Sequence, residues 1–302
     1  MRAFLLPFLI ATALAAQLVP AHSSVRAADV SIDLCVTAGT LPLPGAANAD
    51  VWGFSRSDGE CAGAAPSVPG PVLTVDQGDA VSLTIRNTLA TPVTLEIPGI
   101  AVRGGPRITA PGGGTATATF TAAAPGTYLY QGVERQLPMG LYGALVVRPP
   151  TPGRAYEQAS TAYDREAVLV LSAVDPAFNA APATADLSGY APTHWLINGK
   201  AYPETAPVRG GAPGSRLLVR YLNAGFDHTS MRLLGAYARV LARDAFPLAA
   251  PFDATSETIA AGATEDVLIT MPDGRLALYN RQLHLANGGT APGGMMTFVE
   301  PS

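Results

Sequence analysis

The 302-residue chain is poor in the residues that carry most soluble-protein chemistry. It has one lysine, Lys200, two cysteines, four histidines, and only 14% charged and 7% aromatic residues. With a net charge of −4 and almost no lysine, no basic patch is available to neutralise phosphates, which argues against a nucleic-acid partner. No GxSxG elbow and no HExxH pair occurs, so the common hydrolase arrangements are excluded. Beyond the N-terminus no run is long and apolar enough to cross a membrane. What the chain has in quantity is 31 glycines and 27 prolines against 48% hydrophobic residues. Gly and Pro punctuate every stretch of helical length, which excludes a helical bundle or coiled coil and leaves an all-β protein with many turns.

The N-terminus opens on Arg2 and the apolar run AFLLPFLIATALAAQLV, which contains Pro7. This reads as a secretory signal peptide over 1–28, with an uncleaved N-terminal membrane anchor as the alternative because 17 apolar residues could just span. The small-x-small pattern Val25-Arg26-Ala27 places cleavage after Ala27 or Ala28, with Ala21 as the other option. The expected location is secreted or periplasmic. Cys35 and Cys61 are an even pair in an exported chain, with no CxxC and no histidine near either. We expect a disulfide, with a metal thiolate as the alternative. The segment they flank is expected to be a loop-rich entry to the first domain.

Apolar or β-branched runs recur every 10–15 residues: VSLTIRN (81–87), TATATF (115–120), TYLYQ (127–131), ALVVR (144–148), AVLVLSAV (167–174), RLLVRYL (216–222), DVLITM (266–271) and MMTFV (295–299). Such spacing is that of β-sandwiches. GDAVSLTIRNTL (78–89) matches GSRLLVRYLNAG (214–225), PGTYLYQ (125–131) matches DGRLALYN (273–280), and MGLYGALVV (139–147) matches PGGMMTFV (292–299). Three matches in the same order imply two tandem copies of one fold. We expect domain 1 over 29–148, a Pro-rich linker over 149–160 and domain 2 over 161–302. The glycine-rich GGPRITAPGGG (104–114) is expected to be a loop over the sandwich end.

VPGPVLTVDQGDAVSLTIRNTL (68–89) and PGTYLYQ followed by MGLYGALVVRPP (139–150) resemble the start and end of a multicopper oxidase first domain. INGKAYPETAPVRGGAPGSRLLVRYLNAG (197–225) and PGGMMTFVE (292–300) resemble the start and final strand of the next. The resemblance implies two cupredoxin-like Greek-key β-sandwiches of the two-domain laccase type. It also implies a homotrimer and copper sites built from about ten histidines and one cysteine.

The ligands do not follow the fold. Glu96 and Pro98 stand where the family's first His-x-His lies, Gln131 and Val133 where its His-Ser-His lies, and Arg232 and Leu234 where the second domain's His-x-His lies. Its His-Cys-His falls near Tyr279-Asn280-Arg281. Past the leader only His194, His228 and His284 remain. The resulting expectation is a chain that has lost its coppers and holds no cofactor, with a structural or binding role and a partner not identifiable from sequence. Copper survives in two alternatives. One is an oxidoreductase with rearranged ligands. The other is a copper-handling module using His228, His284 and Met295 or Met296, since imidazole and thioether suit Cu(I). His228 also reads as a turn residue, and His194, at a strand start before Trp195, as structural.

Overall fold

The computed structural model describes residues 27–45 and 48–302, so the leader expected over 1–28 lies outside the described residues except at its last two positions. Residues 29–148 carry β1 (Asp29–Pro42), β2 (Asn48–Arg56), β3 (Leu73–Asp76), β4 (Ala80–Asn87), β5 (Val93–Glu96), β6 (Arg107–Ala110), β7 (Thr115–Thr121), β8 (Gly126–Gly132) and β9 (Tyr142–Arg148). Residues 165–300 carry β10 (Arg165–Val174), β11 (His194–Ile197), β12 (Val208–Arg209), β13 (Arg216–Asn223), β14 (Thr229–Leu233), β15 (Ala238–Arg243), β16 (Phe246–Ala254), β17 (Ser256–Ile259), β18 (Thr264–Thr270), β19 (Leu276–Asn280) and β20 (Met296–Glu300). One short helix, α1 (Pro176–Ala180), is capped by the Asp175 carboxylate, which accepts from the N–H groups of Ala177 and Phe178.

The protein is all-β and cupredoxin-like. Among the described residues the first half builds sheets β2-β1-β4-β7 and β3-β9-β8-β5-β6. The second half repeats that order as β11-β10-β13-β18, extended by β15-β16, and β12-β20-β19-β14-β17. The matched sequence segments fall on equivalent strands. β4 and β13 each run parallel to the first strand of their half, and β9 and β20 each pair in parallel with a short strand.

Side-chain alternation explains where each strand sits. β4 alternates buried and partly exposed positions and β7 alternates half-buried and exposed ones, so one face of each meets the core and the other meets water. β9 and β13 are buried almost throughout. On β8 and β9, Tyr128, Tyr130, Leu145 and Val147 enter the core of the first half, while Leu129, Tyr142 and Ala144 turn to the second half. There they meet Val170, Val174, Leu196 and Leu222. The near-continuous apolar runs ALVV and RLLVRYL are therefore apolar because both faces are covered. Each large aliphatic side chain buried at this waist contributes about 1.5–3 kcal/mol.

Polar ties cross the same waist. Arg220 is fully buried and donates to Glu166, Asp266 and Thr127 at 2.7, 2.8 and 2.9 Å. Thr127, from the first half, donates to Asp266 at 2.6 Å, and the Tyr156 hydroxyl donates to the same carboxylate at 2.7 Å. Gly199, at φ +75°, lets the Asn198–Gly199 turn approach so closely that a Cβ there would lie 1.9 Å from the Val68 carbonyl oxygen.

Two expectations are corrected. The segment between the cysteines is no loop-rich entry: β1 and β2 form an antiparallel pair from Leu34↔Arg56 to Pro42↔Asn48. Its apolar residues are divided between two cores, so no single period dominates. Residues 104–114 are not all loop, because β6 pairs with β5 before the turn into β7. The 149–160 segment joins the halves as a packed strap, with Ala155 and Tyr156 buried against Leu218, Leu241 and Leu268.

Candidate functional site

In the first half, cross-strand register places Glu96 of β5 opposite both Gln131 of β8 and Arg107 of β6. The Gln131 amide donates to Glu96 Oε1 at 3.0 Å, and Arg107 Nε lies 3.6 Å from Glu96 Oε2. The Gln131 amide oxygen is buried without a hydrogen-bond partner. Two of the expected ligand positions are thus brought together, carrying a carboxylate and an amide. The other two are not part of this cluster. Pro98 lines a cavity of about 390 Å³ with Tyr128, Asp244 and Phe246, and the Val133 N–H donates to the Thr94 carbonyl.

In the second half, Arg232 of β14 lies in register between Ser256 and Tyr279, and Leu234, just past the strand, is 51% exposed. Neither offers a soft donor for a metal. His228, His284 and Met295 are gathered instead around a cavity of about 10 Å³ that also touches Trp195 and Asp227. His228 Nδ1 accepts from the Ala261 N–H at 3.3 Å, a long-range tie that places the neutral ring's proton on Nε2. The His284 ring stacks on Trp195 at 4.2 Å between centroids. Burial lowers the His284 pKa below the usual histidine value, with the Asp227 charge opposing the shift.

Met295 is buried, and its sulfur lies 3.8 Å from Asn280 Nδ2. Met296, the next residue, starts β20 opposite Tyr279 and is absent from the cavity wall. Asn280 stands where the resemblance calls for cysteine, so the set offers two imidazoles and a thioether but no thiolate. A blue-copper centre needs two imidazoles and a thiolate, which these residues do not supply. Among the described residues no group of three or more His, Cys, Asp or Glu is placed to hold a metal ion.

His194 is buried, with ring nitrogens at 3.0 Å from Thr193 Oγ1 and 3.4 Å from the Pro44 carbonyl. Cys35 and Cys61 are disulfide-bonded, with Cα atoms 5.6 Å apart. Sequence reasoning passed over Trp195 as a wall of the cavity and passed over the Arg220 network altogether. Its available signal was a charged residue inside each of two apolar runs, RLLVRYL and DVLITM.

Residues 49–152 match the family model described as "Multicopper oxidase". A "Probable nitrite reductase-hydroxylamine oxidoreductase fusion protein" of Kuenenia stuttgartiensis is 34% identical over 116 residues, covering 33% of this chain and 13% of its own length. "Multicopper oxidase MmcO" of Mycobacterium tuberculosis is 26% identical over 249 residues, covering 69% and 47%. The chain therefore spans less than half the length of either relative. Among solved structures, the blue copper oxidase of Nitrosomonas europaea superposes with a TM-score of 0.79 at 24% identity, over 91% of this chain and 86% of that one. No helix among the described residues is long and apolar enough to cross a membrane.

Proposed function

From the premise of a chain that is multicopper-oxidase-like in fold and in its matched domain, we propose an exported protein that has given up copper redox chemistry. Its role is structural or in binding, in the cell envelope or outside the cell. The observation that carries this reading is the bonded Glu96–Gln131 pair with Arg107 beside it, at positions the resemblance assigns to histidines. Carboxylate and amide oxygens are poor ligands for Cu(I), and a guanidinium opposes a bound cation. Secretion rests on the signal-peptide pattern and is supported by the disulfide, which persists in oxidising compartments.

The test is elemental analysis of protein expressed with excess copper and dialysed against a mild chelator. The expected result is less than one tightly bound copper per chain, no intense visible band and no oxygen uptake on a phenol. Several coppers per chain with oxygen uptake would replace this reading with an oxidoreductase. The gathered His228, His284 and Met295 favour a second reading, a weak Cu(I)-handling pocket without turnover. It predicts Cu(I) binding that His284→Ala abolishes. The homotrimer implied by the resemblance is kept as part of the proposal. Light scattering checks it, and a mass near the 31.0 kDa chain counts against it.

A further inference from the structure

Ala28 is held on both sides. Its backbone N–H donates to Asp79 Oδ1 at 2.9 Å, and its carbonyl accepts from the Ala80 N–H at 2.9 Å. Asp79 is 4% exposed, and its second oxygen accepts from the Asp76 N–H at 2.8 Å. Among the described residues, no Lys, Arg or His side chain forms an ion pair with it. A carboxylate this deeply buried is ordinarily paired with a positive charge. Here two backbone N–H groups supply hydrogen bonds but no counter-charge.

One atom nearby can supply it. The residues before Ala28 read Val25-Arg26-Ala27, with small side chains at the two positions a leader peptidase recognises. We infer that the chain is cut between Ala27 and Ala28 and that Asp79 is the built receptor for the new N-terminal ammonium. This rests on the exported reading above. In the cut, water adds to the Ala27 carbonyl and the C–N bond breaks. The water oxygen stays on Ala27, which leaves as a carboxylate, and both water protons go to the Ala28 nitrogen, making it a primary ammonium. That ammonium stands where the N–H already touches Asp79. A cut after Ala21 leaves the Ala28 nitrogen as an uncharged amide, and a cut after Ala28 removes it.

The full chain is expressed in an exporting bacterium, and its N-terminus is read by intact mass and by its N-terminal peptide. The expected start is Ala28. A start at His22 or Asp29, or an uncut Met1, overturns the site, and only recovery of the uncut chain from the cytoplasm overturns export as well. A second measurement addresses the receptor. After the cut the chain has two amines, the Ala28 nitrogen and Lys200. Acylation at pH 7 is expected to modify Ala28 on the order of tenfold more slowly in the native protein than in guanidinium, the factor expected for a one-unit rise in amine pKa. Equal rates overturn the receptor role. Asp79→Asn is expected to restore fast native acylation at Ala28, and unchanged protection in that variant also overturns it. The native-to-denatured ratio in the unaltered protein decides the matter even if that variant does not fold.

Discussion

The two halves share one strand order yet differ at the places where the resemblance expects ligands. In the first half Glu96, Gln131 and Arg107 form a closed polar group. In the second, His228, His284 and Met295 still border a cavity, with Asn280 beside the sulfur. At the positions where the resemblance places ligands, the first half carries a carboxylate and an amide, and the second carries an arginine and a leucine beside a cavity bordered by two imidazoles and a thioether. On the proposed reading, the sandwich and the metal chemistry are separable. The sandwich depends on apolar positions that face inward along β4, β8, β13 and β19, and those remain in both halves. Most candidate ligand positions sit at or near strand ends, while Met295 belongs to the second core.

That contrast assumes halves locked together, so the largest effect is expected from unlocking them. Arg220→Ala leaves the buried Asp266 carboxylate without its cation and should cost about 3–5 kcal/mol in denaturant unfolding. A loss below about 1 kcal/mol, within the range of exposed ion pairs, would show that the waist is held by its apolar residues alone.

The second prediction separates the halves by pH. Glu265 lies in the second half and is 2% exposed, bonded to Arg243 with Glu257 and Asp266 near. Burial raises its pKa from 4.5 to about 7. The folded state then binds the proton more tightly than the unfolded chain. Its contribution is full below pH 4.5 and is lost as pH rises through about 7. Wild-type stability should fall by on the order of 2–3 kcal/mol across that window. Glu265→Gln should flatten most of the slope and be the more stable protein at pH 8, as read by unfolding midpoints at several pH values.

Asn280→Cys sharpens the comparison directly. It removes bonds from Asn280 to Gln282 and Met295 and should cost about 1–2 kcal/mol. With Cu(II) it should produce an intense visible thiolate band that the wild type lacks, because two imidazoles, a thiolate and a distant thioether make a blue-copper set. A colourless protein would show that His228 and His284 do not converge on position 280. The smallest effect belongs to the first half. Glu96→Ala breaks a partly exposed group whose Arg107 partner is 59% exposed, and should cost under about 1 kcal/mol by thermal unfolding.

Much of the fold was legible. The runs at 81–87, 127–131, 144–148 and 216–222 all lie within strands, because consecutive apolar or alternating residues state their own burial. Short strands such as β5, β6 and β12 were not legible, since two to four residues cannot establish a period. β16 was missed for another reason: its two prolines and largely exposed residues carry no strand pattern, and only its pairing with β15 holds it extended. Of the candidate site, strand register brings Glu96 to Gln131, and one cavity gathers His284 with Met295. Met296 did not follow, because adjacent strand residues face opposite ways.

The sequence alone determined the all-β class, the internal duplication and the poverty of soft metal donors. These are properties of composition and short windows, and each holds whatever the rest of the chain does. Only the tertiary structure decided that the 149–160 segment is a packed strap, that Trp195 walls the histidine cavity, and that Arg220 binds the halves. Thr127 and Asp266 are 139 positions apart, and no local pattern encodes a contact that exists only once two sandwiches have closed on each other.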